Sequence, residues 1–241
     1  MKKNSNIPKI IHYCWFGKGD IPEKEKNCMK SWERVLPDYK IMLWNEDTFD
    51  VNMLEWTKTA YANKKYAFVS DYVRLYVLYK YGGVYLDTDV KVIKSFDTLL
   101  EQKGFMCFED GINIASAVIA AVPQHPLIKI FKNIYETGEY SYNNIQEANT
   151  QMMTRILKTY GLLQNNTRQE ICSMSIYPRT YFNPMDYFGN WEETKNTYCV
   201  HYFSGSWLSD VEKEKLRKNR RFLRRIYKRI RGFVRVFLKN I

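Results

Sequence analysis

Asp87 and Asp89 flank Thr88 directly after the apolar run Tyr81-Gly82-Gly83-Val84-Tyr85-Leu86. On an extended segment, residues i and i+2 share a face, so both carboxylates point the same way. Two aspartate oxygens on one side suit a hard divalent cation such as Mn²⁺ or Mg²⁺. Just past a buried strand they would lie at the carboxyl edge of an α/β sheet, where open sheets bind ligands. A cation held there neutralises a diphosphate and stabilises it as a leaving group. D-x-D alone also occurs by chance in exposed turns. The preceding run is too hydrophobic for a surface turn, and that context distinguishes this triplet.

A second constellation precedes it. Asp71 and Arg74, three residues apart, share a helix face. They read either as a surface ion pair or as a site in which Asp71 accepts from sugar hydroxyls and Arg74 offers its donor fork to hydroxyls or phosphate.

Elements must hold these groups. Ile7–Phe16 is predicted as a first strand, closed by Gly17. A helix opens at Pro22 and Glu23 and runs to about Val35. Tyr39–Trp44 is a second strand, and residues 52–65 have mixed helical character. Tyr66–Tyr81 is the clearest helix, with Phe68, Tyr72, Leu75, Tyr76, Leu78 and Tyr79 on its apolar positions and Gly82-Gly83 as its stop. Val84–Leu86, Val90–Ile93, Phe105–Phe108 and part of Ile112–Ala121 read as strands. Pro126–Glu136 and Ile145–Tyr160 read as helices, residues 161–197 as irregular, and Tyr198–Tyr202 as a last strand. Strands alternating with helices predict an α/β domain with a mainly parallel sheet.

Composition bounds the class. The chain has 241 residues, 45% of them apolar, with 19 Tyr, 13 Phe and 6 Trp, so it can bury a sizeable core. Five cysteines without a CxxC pair argue against a disulfide framework or a zinc site and fit a reducing cytosol. The opening Met1-Lys2-Lys3-Asn4 has no apolar run of the signal-peptide kind. No stretch of eighteen or more apolar residues occurs.

The stretch Ser70–Val90, SDYVRLYVLYKYGGVYLDTDV, resembles the DXD-containing sugar-binding region of glycosyltransferase family 32. That family includes yeast-type initiating mannosyltransferases and bacterial capsular or exopolysaccharide transferases, and it is similar to the glucosyltransferase domains of large clostridial toxins. IPKIIHYCWFG resembles the family's first strand and HYFSGSW its closing motif. The resemblance spans roughly residues 7–207, with weaker matching between 122 and 195. It implies a GT-A fold, a Rossmann-like sheet, over residues 1–210. It also implies a divalent metal, a nucleotide-sugar donor (a uridine diphosphate sugar is expected), a glycan or lipid-linked acceptor, and retention of anomeric configuration.

By the match, Asp71 and Arg74 would hold the donor sugar and Tyr85 would line the pocket. Asp87 would contact ribose and sugar hydroxyls, and Asp89 would ligate the metal. Trp15 matches a base-stacking position, against the alternative of a core tryptophan. Asn113 resembles an asparagine near the transferred sugar, although asparagine is also a common turn residue. His201 stands where such enzymes supply a late metal ligand or phosphate contact, against the alternative of a structural histidine. Ser206 or Trp207 would donate to the β-phosphate. His12 reads as core, and His125 is assigned no role. The departing diphosphate can take the acceptor's proton, so no protein base is named.

The net charge of +11 sits in one place. Thirteen of the 37 basic residues fall between Glu212 and Ile241, against two acidic ones, which leaves residues 1–210 balanced. Within residues 216–241, Phe222, Leu223, Ile226, Tyr227, Ile230, Phe233, Val234, Phe237, Leu238 and Ile241 recur at i, i+3, i+4 spacing, with Arg and Lys opposite. Such a basic amphipathic helix suits an anionic membrane surface; packing on the domain is the competing reading. The absence of a nucleic-acid fold motif and the neutral remainder argue against nucleic acid. The tail, 211–241, would hold the protein peripherally on the inner face of the plasma membrane. Two other classes stay open: a metal-dependent nucleotidyltransferase or phosphohydrolase using the same aspartates, and a non-catalytic membrane-binding protein.

Overall fold

A computed structural model of the chain describes residues 7–140, 147–186 and 190–205, with the isolated positions 214 and 218. Nine strands and five helices follow in order among the described residues: β1 Ile10–Cys14, α1 Glu23–Val35, β2 Lys40–Trp44, α2 Glu55–Ala62, α3 Tyr66–Tyr81, β3 Gly83–Leu86, β4 Val90–Val92, β5 Gly104–Cys107, β6 Val118–Ala121, α4 Pro126–Glu136, α5 Asn149–Thr159, β7 Gln169–Ile171, β8 Met174–Tyr177 and β9 Cys199–His201. No described helix is long and apolar enough to cross a membrane.

Seven strands form one sheet in the order β2-β1-β3-β6-β5-β8-β7. β1 pairs in parallel with β2 and β3, and β5 in parallel with β8, while β6 and β7 run against their neighbours. β1, β2, β3, β5 and β8 therefore point the same way, giving the mainly parallel α/β sheet expected from the alternation of elements.

Both faces of the sheet are covered, so alternate residues of each central strand enter different cores. Tyr85, Met106, Ile119 and Ile176 pack with Val69, Tyr72, Leu75 and Leu78 of α3 and with α4 and α5 residues such as Phe131 and Met152. Val84, Leu86, Phe105, Cys107 and Val118 face the other way, onto Trp32 of α1 and onto Val90, Val92 and Cys199. The last three belong to a separate two-stranded ribbon of β4 and β9.

Two local devices set the strand that matters most. α3 stops at Gly82 (φ +64) and Gly83 (φ +106), conformations that residues with a Cβ rarely adopt. A Cβ at Gly83 would lie 2.7 Å from the Ile10 carbonyl oxygen, so glycine is required for β3 to start against β1. His12 then pins the turn: its Nε2–H donates to the Gly82 carbonyl at 2.8 Å, and its Nδ1 accepts from the Trp44 indole at 3.1 Å. Burial pushes the His12 imidazole down to about 4, against the opposing pull of the Gly82 carbonyl, so it stays neutral as this pairing needs.

One expectation fails. Residues 161–197, read as irregular, contain the hairpin β7–β8, and β8 is an interior strand beside β5. Its two-residue turn, Cys172 and Ser173, has φ of +51° and +65°. Two positive-φ residues are the mark of a type I′ turn, which usually carries Asn-Gly or Asp-Gly. Cys-Ser gives no such signal.

Candidate active site

The spacing of α3, the Gly-Gly turn and β3 brings two distant side chains level. Arg74 lies eight residues before Gly82, about 12 Å along a helix axis. Asp87 lies four residues after Gly83, about 13 Å along a strand. Helix and strand run back on each other, so the two meet: Arg74 Nη2 is 3.3 Å from Asp87 Oδ1. Asp71, almost one helical turn further, places Oδ1 3.2 Å from Arg74 Nη1. Tyr85, on the same face of β3 as Asp87, donates its hydroxyl to Asp87 Oδ1 at 2.9 Å. The guanidinium lies over the Tyr85 ring, 4.9 Å from its centroid.

This is not a surface pair. Asp71 and Arg74 are 8% and 5% exposed. Burial pushes the Asp71 carboxyl up to about 6, although Arg74 pulls it down. Arg74 stays firmly charged, because Asp87, Tyr85 and Asp71 outweigh its desolvation. Its Nε has no hydrogen-bond partner among the described residues, and Nη1 meets Asp71 as an ion pair without hydrogen-bond geometry, which leaves a buried donor to offer.

The second half of the site comes from the ribbon. Asp87 N–H donates to the Ala117 carbonyl at 2.9 Å and Val90 N–H to the Asp87 carbonyl at 3.0 Å, which turns the chain through Thr88 and Asp89 into β4. The β4–β9 register sets Val90 opposite His201. His201 Nε2 is therefore 3.3 Å from Asp89 Oδ1, and Asp89 Oδ2 accepts the Ser204 backbone N–H at 2.7 Å. Burial alone would raise the Asp89 carboxyl; His201, the Ser204 amide and Lys24 outweigh it and hold it down to about 2. Burial would lower the His201 imidazole, but Asp89, Asp87 and Glu109 together raise it.

Ligand atoms of Asp87, Asp89 and His201 all lie within 4.8 Å of one another. Two carboxylates and an imidazole suit Mn²⁺ or a related hard-to-borderline divalent cation. His201 Nδ1 is buried without a partner among the described residues, an unmet polar atom beside the cluster. The donor set fits such an ion.

The structure thus gathers Asp71, Arg74, Tyr85, Asp87, Asp89 and His201. Trp15 stands at the same sheet edge, directly after β1, and is half-exposed rather than core. Asn113 sits apart in a tight turn, its amide donating to Asp110 Oδ2 at 2.9 Å. It borders a depression with Gln151, Thr154 and Arg155 of α5. Ser206, Trp207 and residues 216–241, except position 218, lie outside the described residues.

Sequence reasoning missed two neighbours. Asn149 opens α5 and donates its amide to Asp71 Oδ1 at 2.6 Å and to Ser116 Oγ at 3.2 Å. Glu109 follows β5; its half-buried carboxyl is raised by desolvation while the His201 charge pulls it down. Both lie outside any short motif, and only the closing of the sheet brings them near.

PaToxG glycosyltransferase superposes with a TM-score of 0.52 at 20% identity, over 64% of this chain and 69% of that one. A glycosyltransferase involved in glycosylating the major capsid of PBCV-1 gives a TM-score of 0.50 at 12% identity, over 88% of this chain and 100% of that one. The fold is the GT-A glycosyltransferase fold. Residues 22–106, about a third of the chain, match the family model described as the glycosyltransferase sugar-binding region containing DXD motif. The resemblance to glycosyltransferase family 32 is borne out over this stretch, which matches that family's sugar-binding region. Inositol phosphoceramide mannosyltransferase 3 of Schizosaccharomyces pombe is 34% identical over 137 residues, covering 55% of this chain and 38% of that protein. The chain spans about two fifths of the length of this and two further mannosyl-transferring relatives from yeasts.

Proposed function

We propose that this protein is a retaining, divalent-metal-dependent glycosyltransferase that moves a hexose from a nucleoside diphosphate sugar. The acceptor is a polysaccharide or a lipid-linked acceptor in surface-glycan synthesis. The observation that carries this reading is the cluster of Asp87, Asp89 and His201 beside the buried Asp71–Arg74 pair, with the three aspartates and Arg74 inside the matched DXD region.

Asp89, His201 and Asp87 would hold the ion, which when bound supplies positive charge against the departing diphosphate. Arg74 adds a fixed, buried cation paired to Asp71 and Asp87 beside that ion site. Asp71 accepts from sugar hydroxyls, and Tyr85 keeps Asp87 in place. The Trp15 ring stacks on the base, and Ser206 or Trp207 donates to the β-phosphate. An oxygen of the departing diphosphate takes the acceptor proton, so catalysis rests on positioning and preorganised charge. Uridine is the expected base. Three relatives named inositol phosphoceramide mannosyltransferases support mannose, and a lipid headgroup hydroxyl, as the first alternatives to try.

The test is a panel of nucleoside diphosphate sugars with Mn²⁺, following the products. Release of nucleoside diphosphate from one donor is expected, lost with a chelator and in Asp89→Asn. Cleavage within the phosphates would point to a nucleotidyltransferase or phosphohydrolase, and full activity in Asp89→Asn would remove the metal assignment. The basic residues 216–241 would attach the enzyme to an anionic cytoplasmic leaflet, where a lipid-linked acceptor is met. Truncation after Asp210 is then expected to abolish binding to anionic vesicles; unchanged binding overturns the anchor.

A further inference from the structure

The turn from Trp15 to Gly19 leaves the sheet at the C-terminal end of β1 and carries the half-exposed Trp15 ring. Its start is tied by Trp15 N–H to the Trp44 carbonyl at 3.0 Å. Its end is tied by the Trp15 indole Nε1–H to the Gly19 carbonyl at 2.6 Å. In between the chain passes through Gly17 (φ +96) and Lys18 (φ +56), a path that local backbone preferences do not favour.

One side chain holds that middle. Glu46 Oε1 accepts the Gly17 backbone N–H at 2.6 Å and the Tyr61 hydroxyl at 2.8 Å. Glu46 stands on its own ordered turn, with Phe49 N–H bonded to the Asn45 carbonyl and Asn45 N–H to Thr48 Oγ1, both at 2.9 Å. Tyr61 comes from α2, and its ring packs at 5.6 Å from that of Tyr66, the first residue of α3. The Tyr66 ring fills the space a side chain at Gly17 would need. The turn bearing Trp15 is thus referenced through Glu46 to the end of β2, to α2 and to the start of the helix that carries Asp71 and Arg74.

We propose that Glu46 is a positioning residue for nucleotide binding: by holding Gly17 against Tyr61 and Tyr66, it sets the distance and tilt of the Trp15 ring over the base of a nucleoside diphosphate. This rests on the reading of Trp15 as the base-stacking residue. Glu46 touches no reacting atom, so its loss acts on the base and spares the metal–diphosphate half of the site. The carboxylate charge favours both bonds, since a charge-assisted acceptor outperforms a neutral one. A glutamine oxygen in the same place retains their geometry.

The test compares the full-length protein with Glu46→Ala, Glu46→Asp and Glu46→Gln, using calorimetric titration with UDP, GDP and inorganic pyrophosphate in Mn²⁺ and the donor KM and kcat. Glu46→Ala is expected to weaken nucleoside diphosphate binding and raise donor KM about tenfold, the scale of one charged hydrogen bond. Pyrophosphate affinity and kcat stay near wild type, and Glu46→Gln restores most of the loss. Glu46→Asp keeps the charge but withdraws it by one methylene. It should lose affinity as alanine does, and it decides the matter if alanine does not fold. Wild-type nucleotide affinity in both short variants overturns the proposal, as does an equal loss of pyrophosphate affinity. If the wild-type protein binds pyrophosphate but neither nucleotide, the base-stacking reading of Trp15 itself falls.

Discussion

Asp71, Asp87 and Asp89 divide their oxygens differently. Asp71 and Asp87 each commit Oδ1 to the frame and leave Oδ2 without a partner among the described residues. Asp89 has both oxygens engaged, one by His201 and one by the Ser204 amide. Asp71 binds its proton more tightly folded than unfolded, so its contribution to metal-free stability is fully present below the unfolded value of 3.8 and is lost as pH rises through about 6. Asp89 does the reverse: its contribution is present above 3.8 and is lost as pH falls through about 2. Asp71→Asn is therefore expected to raise the thermal midpoint of the metal-free protein at pH 7, with Arg74 still paired to Asp87, while donor binding collapses. A lower midpoint would contradict the burial argument. His201, whose proton affinity is raised, must shed that proton to ligate a metal. Titrations across pH should show Mn²⁺ affinity falling roughly tenfold per unit on the acid side in the wild type, with a flatter profile in His201→Ala. The i, i+3 spacing made the shared face of Asp71 and Arg74 legible, but spacing does not encode burial, so spacing alone favoured an exposed surface pair, which the burial of both side chains overturns. The Asn149 contact depends on a sequence separation of 78 residues and left no local trace.

At the scale of elements, the decisive unit is α3, its glycine turn and β3. The pattern of apolar residues and the Gly-Gly stop gave the helix to the residue, because a buried 16-residue helix repeats its period many times. The hairpin β7–β8 offered a three-residue and a four-residue strand joined by atypical turn residues, too little period to read. Val90–Ile93 was legible as a strand but its partner was not, since pairing with β9 is set by packing on α1. The turn itself yields a test. Gly83→Ala places a Cβ against the Ile10 carbonyl at a positive φ, so urea unfolding should show a loss of more than about 1 kcal/mol. A neutral result would mean that the β1–β3 register can shift, and with it the height of Asp87.

At the scale of the molecule, the neutral 1–210 portion and the strongly basic end have separate physics, and composition alone made that division visible. With the membrane anchor proposed above, salt should weaken vesicle binding while leaving donor affinity much less affected, because buried pairs are screened much less than surface charges. Co-sedimentation and nucleotide titration at low and high ionic strength read the two separately.

The β4–β9 ribbon has a consequence for how such a site comes into being. Asp89 and His201 are 112 positions apart, and their meeting waits for Cys199–His201 to pair with Val90–Val92. A chain emerging from the ribosome can form the helix–turn–strand bearing both aspartates long before the imidazole exists. Loop closure over that span comes late, since distant pairings repay their entropy only after the sheet is in place. Under the proposed metal assignment, binding competence is a timer of completion: on refolding, tight Mn²⁺ binding should return with the slowest phase, after helical signal has recovered.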